Sequence, residues 1–451
     1  MDVGYVVIGA GMAGLATARA LADAGRDAVV VEARGRIGGR VYTPRIDRDS
    51  GRISTIGADP MWADGAGQTP VDLGASWIHG ITGNPIAELA RQYSIATAPG
   101  KNREPTFIGP DGARLPRKKL VGTLDRTLDR AATLAWAEPS DLSLSDAIAR
   151  VRKTRDHRKG AALDLGLSWL SLIMGTDIDT LSARHWDQDD ELGGGDVVFP
   201  GGYDHIPRAL VNDLDIWLDS PVTEIARDGE HVRITTDSRT VSADAVIVTV
   251  PLGVLKARTI SFVPDLPDKK WAAVDRLGVG LLNKIALVFA ERFWPRQLEQ
   301  VVVAPQREPD ITGFSCVQTT EHPVLLAWLA GRTARLLEAR SDSELADMAI
   351  HTVSRTLGRP APDPAGVLVS RWASDPHSMG SYSYIPVGAT GREYDHLAEP
   401  IRPWLYFAGE ACHRAHPGTV HGAYLSGQEA AAAAMADEPD RPGYTISPRL
   451  T

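Results

Sequence analysis

The feature that most constrains this chain is Gly9-x-Gly11-x-x-Gly14, set between a short apolar run at 4–8 and an alanine-rich stretch at 12–24. A second apolar, β-branched run at 28–31 comes next and ends on Glu32, 18 residues after Gly14. Strand, glycine turn, helix and strand make a βαβ unit, which commits the N-terminal part to an α/β fold with a parallel sheet. The glycines allow the tight turn, let backbone N–H groups approach a pyrophosphate, and bring helix and strand together. Met12 and Ala13 open the helix, whose N-terminus supplies a positive dipole end. A carboxylate at Glu32 accepts hydrogen bonds from a ribose diol and repels a 2′-phosphate, so an ADP-containing cofactor is expected and NADP is disfavoured.

A chain of 451 residues exceeds what one hydrophobic core organises, and two domains are expected, interleaved along the chain. With 57 acidic against 48 basic side chains and a formal charge of −9, the basic face a nucleic acid needs is not expected, and a cationic substrate is mildly favoured. The only cysteines, Cys316 and Cys412, are too few for a disulfide framework or a four-thiolate metal site. They fit a reducing, cytoplasmic compartment, and no metal is expected. The apolar stretch at 4–25 has no basic residue before it and is interrupted by glycines, so it reads as fold and not as a signal peptide. No other run approaches the roughly 20 residues that span a bilayer.

The periodicity divides the chain into a cofactor-binding part at 1–83, a mainly helical part of a substrate domain at 84–192, and a return to α/β pattern at 193–258. A sheet-bearing substrate part occupies 259–395, then a last cofactor-binding segment 396–436 and a polar, mobile tail 437–451. Residues 46–70, rich in Asp, Gly, Ser and Thr without periodicity, read as a long loop placed to roof a pocket.

The residues after Glu32 point to a family. The run Glu32-Ala33-Arg34-Gly35-Arg36-Ile37-Gly38-Gly39-Arg40 resembles the signature of flavin-dependent amine oxidases. The segment Val71-Asp72-Leu73-Gly74-Ala75-Ser76-Trp77-Ile78-His79-Gly80 is similar to the one beside the flavin ring in polyamine oxidases and lysine-specific histone demethylases. Trp186-Asp187-Gln188, Val222, the strand reaching Pro251, Gly409-Glu410 and Thr419-Val420-His421-Gly422 extend the likeness over most of the chain. The resemblance implies an FAD-binding Rossmann-like domain interleaved with a substrate domain of mixed sheet plus helices. It implies that Arg36 and Arg40 bring planar cations to the pyrophosphate, that Glu410 holds the ribityl chain, and that a helix N-terminus at Thr419 and Val420 faces the flavin N1–C2=O edge, where it would stabilise reduced flavin.

For the reaction, the first candidate is Lys284, one of nine lysines, in an apolar strand where an ammonium is costly without a partner. The resemblance gives it the role of holding a water near flavin N5. It places His79 near the amine and makes Tyr382 one wall of an aromatic cage. Thr419 stands where monoamine oxidases carry the opposite Tyr, and Ser381 where they attach FAD through cysteine, so a non-covalent flavin is implied. Trp372 is expected against the dimethylbenzene side. The acidic group at 187–191, with Asp187 and Asp190 foremost, would hold the distal ammonium of a polyamine. The implied activity is a polyamine oxidase that passes hydride from carbon to N5, reduces dioxygen to hydrogen peroxide and releases aldehyde and amine, as a monomer or homodimer. A biosynthetic amine or L-amino-acid oxidase, a flavin-dependent desaturase, and a binder related to the GDP dissociation inhibitors share the fold and remain alternatives.

Overall fold

A computed structural model describes residues 2–47, 53–54, 68–100, 105–154, 160–317, 320 and 322–438. Two large sheets organise it. The first has eight strands, and its centre is parallel: Asp215–Trp217, Ala28–Val31, Asp2–Ile8, Thr240–Val248 and Leu405–Phe407 run side by side. Strands buried on both faces need continuous apolar sequence, which Val29, Val30, Val31, Val246, Ile247 and Val248 provide at 2% exposure or less. An antiparallel flank, Val222–Asp228 with His231–Thr236, and the edge strand Ser261–Val263 complete the sheet. On one face lie the helices Met12–Asp23 and Val420–Ala436, so close that a Cβ on Gly427 would stand 2.2 Å from the Ala13 carbonyl oxygen.

The second sheet has six strands, with Leu282–Val288 between Val324–Ala330 and Gly366–Val369. The helix Asp342–Leu357 packs on it, opened by a capping box of Ser341 and Glu344 and closed by Gly358 at φ 64°. The helices Arg117–Ala137, Leu144–Thr154 and Gly160–Met174 form a third layer with their own apolar core.

Several boundaries differ from the sequence expectation. The helical part contributes an edge strand, Thr106–Ile108, parallel to Gln300–Val303 of the second sheet. Ser261–Val263 pairs with Val222–Asp228 in the first sheet, and Val274 of the helix Asp268–Arg276 joins that sheet's core, so the cofactor half continues past 258. Residues 46–70 do not form a loop throughout: Arg45–Asp47 pairs with both Ile53–Ser54 and Gln68–Pro70. Three-residue strands carry too little alternation to register as periodicity. Residues 48–52 and 55–67 of that stretch, and 439–451 of the tail, lie outside the described residues. The tail begins anchored, since Asp437 accepts from the Tyr406 hydroxyl (2.6 Å) and Glu438 from the Tyr5 hydroxyl (2.5 Å). Among the described residues no helix is long and apolar enough to cross a membrane, and no group of side chains has the makings of a metal site.

Candidate active site

A cavity of about 1150 Å³ opens at the carboxyl ends of the parallel strands and runs on between the second sheet and the helical layer. That end of an open α/β sheet is where ligands bind. Gly9, at φ 104°, turns the chain out of the first strand, and its N–H donates to Val31 O at 2.8 Å. A Cβ at Gly14 would lie 1.8 Å from the Gly9 carbonyl oxygen, whereas one at Gly11 would meet nothing within 4 Å. Gly9 and Gly14 close the turn, and Gly11 leaves room for an incoming group. Gly9, Gly11, Met12 and Ala13 line this space, with Gly14 packed behind it.

Glu32, 4% exposed, accepts from the N–H of Ala10 (2.7 Å) through Oε2 and of Arg34 (2.8 Å) through Oε1. Each oxygen keeps a free lone pair beside Ala33 and Val222 on the cavity wall, as a ribose diol requires. The arginines divide differently from expectation. Arg36 is not on the cavity: its guanidinium stacks 4.1 Å over the Tyr42 ring and donates to Ile37 O and Gly39 O, a role inside the fold. Burial, with Arg34 adding repulsion, pulls its pKa down to about 10. Arg34 and Arg40 do line the cavity. Arg34 forks onto Asp375 at 2.7 Å and reaches the Ser378 hydroxyl at 2.8 Å. Arg40 donates to Ser381 O (2.6 Å) and Glu410 Oε1 (2.9 Å).

Glu410 is more heavily committed than a ribityl ligand would be. Its Oε2 accepts from the Ser383 hydroxyl (2.6 Å), Ser383 N (3.2 Å) and Gly418 N (3.0 Å), so it ties three distant segments together at the edge of the cavity beside Gly409. Thr419 caps the helix Val420–Ala436: its Oγ1 accepts from Gly422 N (2.9 Å) and donates to His416 O (2.8 Å). With donor and acceptor both used, Thr419 orients the helix and carries no reacting proton. Thr419 and Val420 nonetheless line the cavity, presenting the positive helix end to it.

The segment 74–77 runs along the opposite wall, with Gly74, Ala75, Ser76 and Trp77 all on the lining. Its path is forced: a Cβ at Gly74 would stand 1.8 Å from Arg40 O, and Ala75 N donates to that oxygen at 3.1 Å. Asp72 fixes the approach, its Oδ1 accepting from Thr43 Oγ1 (2.6 Å) and Tyr203 N (3.0 Å). Burial raises the Asp72 carboxyl to about 6. Against this segment rests Lys284, 8% exposed, whose Nζ donates to Asp72 O (3.0 Å), Gly74 O (2.5 Å) and Ser76 Oγ (2.5 Å). Burial lowers its pKa to about 8, with Asp72 acting in the other direction. Trp372, 5% exposed, stands edge-on to Tyr42 with centroids 6.3 Å apart, and with Pro251 it lines the same cavity.

Tyr382 lines the cavity, its hydroxyl donates to Ile173 O at 2.9 Å, and burial pushes the phenol well up. His79 reaches the lining from an exposed rim, with Nδ1 3.1 Å from Asp196 Oδ2. Of the acidic group, Asp187 and Asp190 are off the cavity, and Asp190 is engaged through its backbone with Ala415 and His416. Of that group it is Asp189 that lines the cavity, and besides Glu32, Asp72 and Glu410 the lining carries the carboxylates of Asp196 and Glu299. Period-two alternation in a short loop does not say which side chain turns inward, and Asp196 and Glu299 come from separate segments. The motifs also leave His421 without a role. It is 5% exposed and lines the cavity, its ring 4.7 Å from that of His416, and burial lowers its pKa to about 4 with His416, His79 and His413 adding to the effect. The far lobe is walled by Trp169, Leu172 and Trp328, from a helix and a strand that no motif links.

Comparison with known proteins bears on this geometry. The family model for flavin containing amine oxidoreductase matches residues 12–435. Polyamine oxidase 4 of Oryza sativa subsp. japonica is 37% identical over 448 residues, covering 94% of this chain and 87% of that protein. Polyamine oxidase 2 of Arabidopsis thaliana is also 37% identical, with 94% and 86% covered. Lysine-specific histone demethylase 1 homolog 1 of Oryza sativa subsp. japonica is 33% identical over 95% of this chain but 52% of its own length. Among solved structures, wild-type putrescine oxidase bound to putrescine superposes with a TM-score of 0.76 at 22% identity, covering 97% of this chain and 99% of that one, a likeness of fold.

Proposed function

The chain belongs to the flavin-containing amine oxidoreductases, and from that premise we propose that it is a polyamine oxidase with non-covalent FAD. The observation that carries the substrate is the course of the cavity: past Lys284 it continues between the apolar walls of Trp169, Leu172 and Trp328, with the carboxylates of Asp189, Asp196 and Glu299 on its lining. An aliphatic chain bearing several cations is the complement of such walls. The Gly9–Gly14 turn and Glu32 would hold the adenosine diphosphate, Arg34 and Arg40 lie along its path, and segment 74–77 with the helix end at Thr419–Val420 would hold the ring system. Ser381 exchanges hydrogen bonds with Leu282 and offers no thiol for a covalent bond.

Bound flavin supplies the acceptor for a hydride from the amine α-carbon and the electrons that reduce dioxygen to hydrogen peroxide. The chain's own residues do the rest. The apolar lobe strips water from the substrate, which favours the neutral amine needed for hydride loss; in water that deprotonation costs about 4–5 kcal/mol at pH 7. Tyr382 and Trp77 fix the reacting end by shape, and His421, kept uncharged, adds no repulsion to an incoming cation. A cytoplasmic site of action and a monomer or homodimer complete the reading.

Peroxide release by the purified yellow protein against spermine, spermidine, their N-acetyl forms, tyramine, tryptamine and L-amino acids tests it. Turnover of polyamines, rising toward alkaline pH, is expected. Activity on another amine with none on polyamines would remove the substrate and keep the chemistry; no peroxide with any of them would remove the oxidase.

A further inference from the structure

Lys284 has no N–H to spare. Its ammonium carries three hydrogens, and three acceptors surround it: Asp72 O, Gly74 O and Ser76 Oγ. Two are backbone carbonyls, which accept a hydrogen bond but have no hydrogen to pass on. Only the serine hydroxyl both accepts and donates. Ser76 lines the cavity. Its own hydrogen has no good partner in the protein, since the nearest acceptors, Asp72 O and Gly74 O, are both at 3.4 Å. The hydroxyl is also preset, because the segment before it is fixed by the Asp72 clamp and by Arg40 O, and the segment after it by Ile78 N, which donates to Val197 O at 2.9 Å.

We propose that the Ser76 hydroxyl is the proton relay between Lys284 and the reacting end of the cavity. The proposal rests on the oxidase reading. Dioxygen leaving as hydrogen peroxide takes two electrons and two protons. A bound, reduced flavin would supply both electrons with one proton, as a hydride equivalent. The second proton comes from Ser76: its O–H bond breaks as the hydrogen passes to the departing oxygen, and a Lys284 N–H bond breaks to restore it. Lysine, left as the neutral amine, is reprotonated from solvent. The carboxylate facing the ammonium is that of Asp72, and Trp328 stands opposite Lys284 on the neighbouring strand.

The test compares wild type with Ser76→Ala, Ser76→Thr, Lys284→Met and the Ser76→Ala/Lys284→Met pair. Anaerobically reduced enzyme is mixed with oxygen between pH 6 and 9. Reoxidation should slow roughly ten- to hundredfold in Ser76→Ala, recover to within about threefold in Ser76→Thr, and fall no further in the pair than in Lys284→Met, as residues acting in series require. Anaerobic reduction by the amine should change by a smaller factor than reoxidation in each variant. A second readout needs no turnover: in the flavin-free protein, the NMR titration of the Lys284 side chain should move to lower pH in Ser76→Ala, because an acceptor favouring the charged form is gone. Reoxidation within twofold of wild type, multiplicative losses in the pair, or an unmoved lysine titration would each overturn the relay. A wild-type reduced flavin stable in air would remove the oxidase reading, and the relay with it.

Discussion

Two lysines are buried among the described residues, and they are held almost alike. Lys270, 3% exposed, donates from Nζ to His396 O (3.2 Å), Leu397 O (2.8 Å) and Glu399 O (2.6 Å) at the end of the helix Arg392–Ala398, 4.0 Å above the Phe407 ring. Lys284, 8% exposed, donates to two carbonyls and a hydroxyl. Burial lowers both to about 8. A depressed pKa therefore does not single out the reacting lysine. The third acceptor and the opening are different: Lys270 ends on carbonyls inside the first core and caps a helix, whereas Lys284 ends on a hydroxyl beside a cavity.

The largest effect that sharpens this contrast is catalytic. Lys284→Met should lower the rate of flavin reoxidation by about 10²- to 10⁴-fold, while Lys270→Met leaves kcat per bound flavin within twofold, both read by stopped-flow absorbance. Comparable losses in the two variants would erase the distinction.

Stability should divide them the other way. Lys270→Met leaves the carbonyls of a helix end unpaired in a core and should cost about 2–4 kcal/mol in urea unfolding. Lys284→Met frees carbonyls that cavity water reaches, and should cost less. A larger loss for Lys284→Met would reverse the assignment of clamp and reactant.

The pH dependence carries a sign. Both folded pKa values lie below the ordinary lysine value of 10.5, so between about pH 8 and 10.5 the unfolded chain binds more protons at these sites and stability rises with pH. The stability gap between wild type and Lys270→Met should widen by about 3 kcal/mol across that window; a constant gap would mean that Lys270 titrates normally.

The smallest effect tests the same lesson on acids, that facing the cavity matters more than belonging to a charged run. Asp189→Asn should raise KM for spermine by up to about fivefold, the scale of one exposed charge pair, and Asp187→Asn should leave it unchanged. Equal effects would show that the acidic group acts as a diffuse field.

Sequence made the cofactor half legible because its constraints are local. A turn that admits only glycine, a carboxylate at a strand end and a capping threonine are each written within a few positions. The strand Leu282–Val288 was equally plain, as an apolar run around Lys284. The features that stayed hidden depend on partners far away. Ser76 and Lys284 are 208 positions apart, and Arg36 and Arg40, four apart in one motif, differ in role only through the groups the fold lays beside them. The substrate lobe draws single residues from a helix, a strand and loops, so no window contains it. The boundary at 258 failed for a related reason: a three-residue strand, Ser261–Val263, joins the first sheet by backbone pairing alone.

The contact of Gly427 with Ala13 O has a temporal meaning. The turn at Gly9–Gly14 is made more than 400 residues before Gly427 of the helix that packs on Met12–Asp23. At about 5–20 residues per second the interval is roughly 20–80 s. Until then the helix Met12–Asp23 has an alanine-rich face awaiting its partner. Translation that stops before Gly427 would leave this seam between the two helices uncovered and open to quality control.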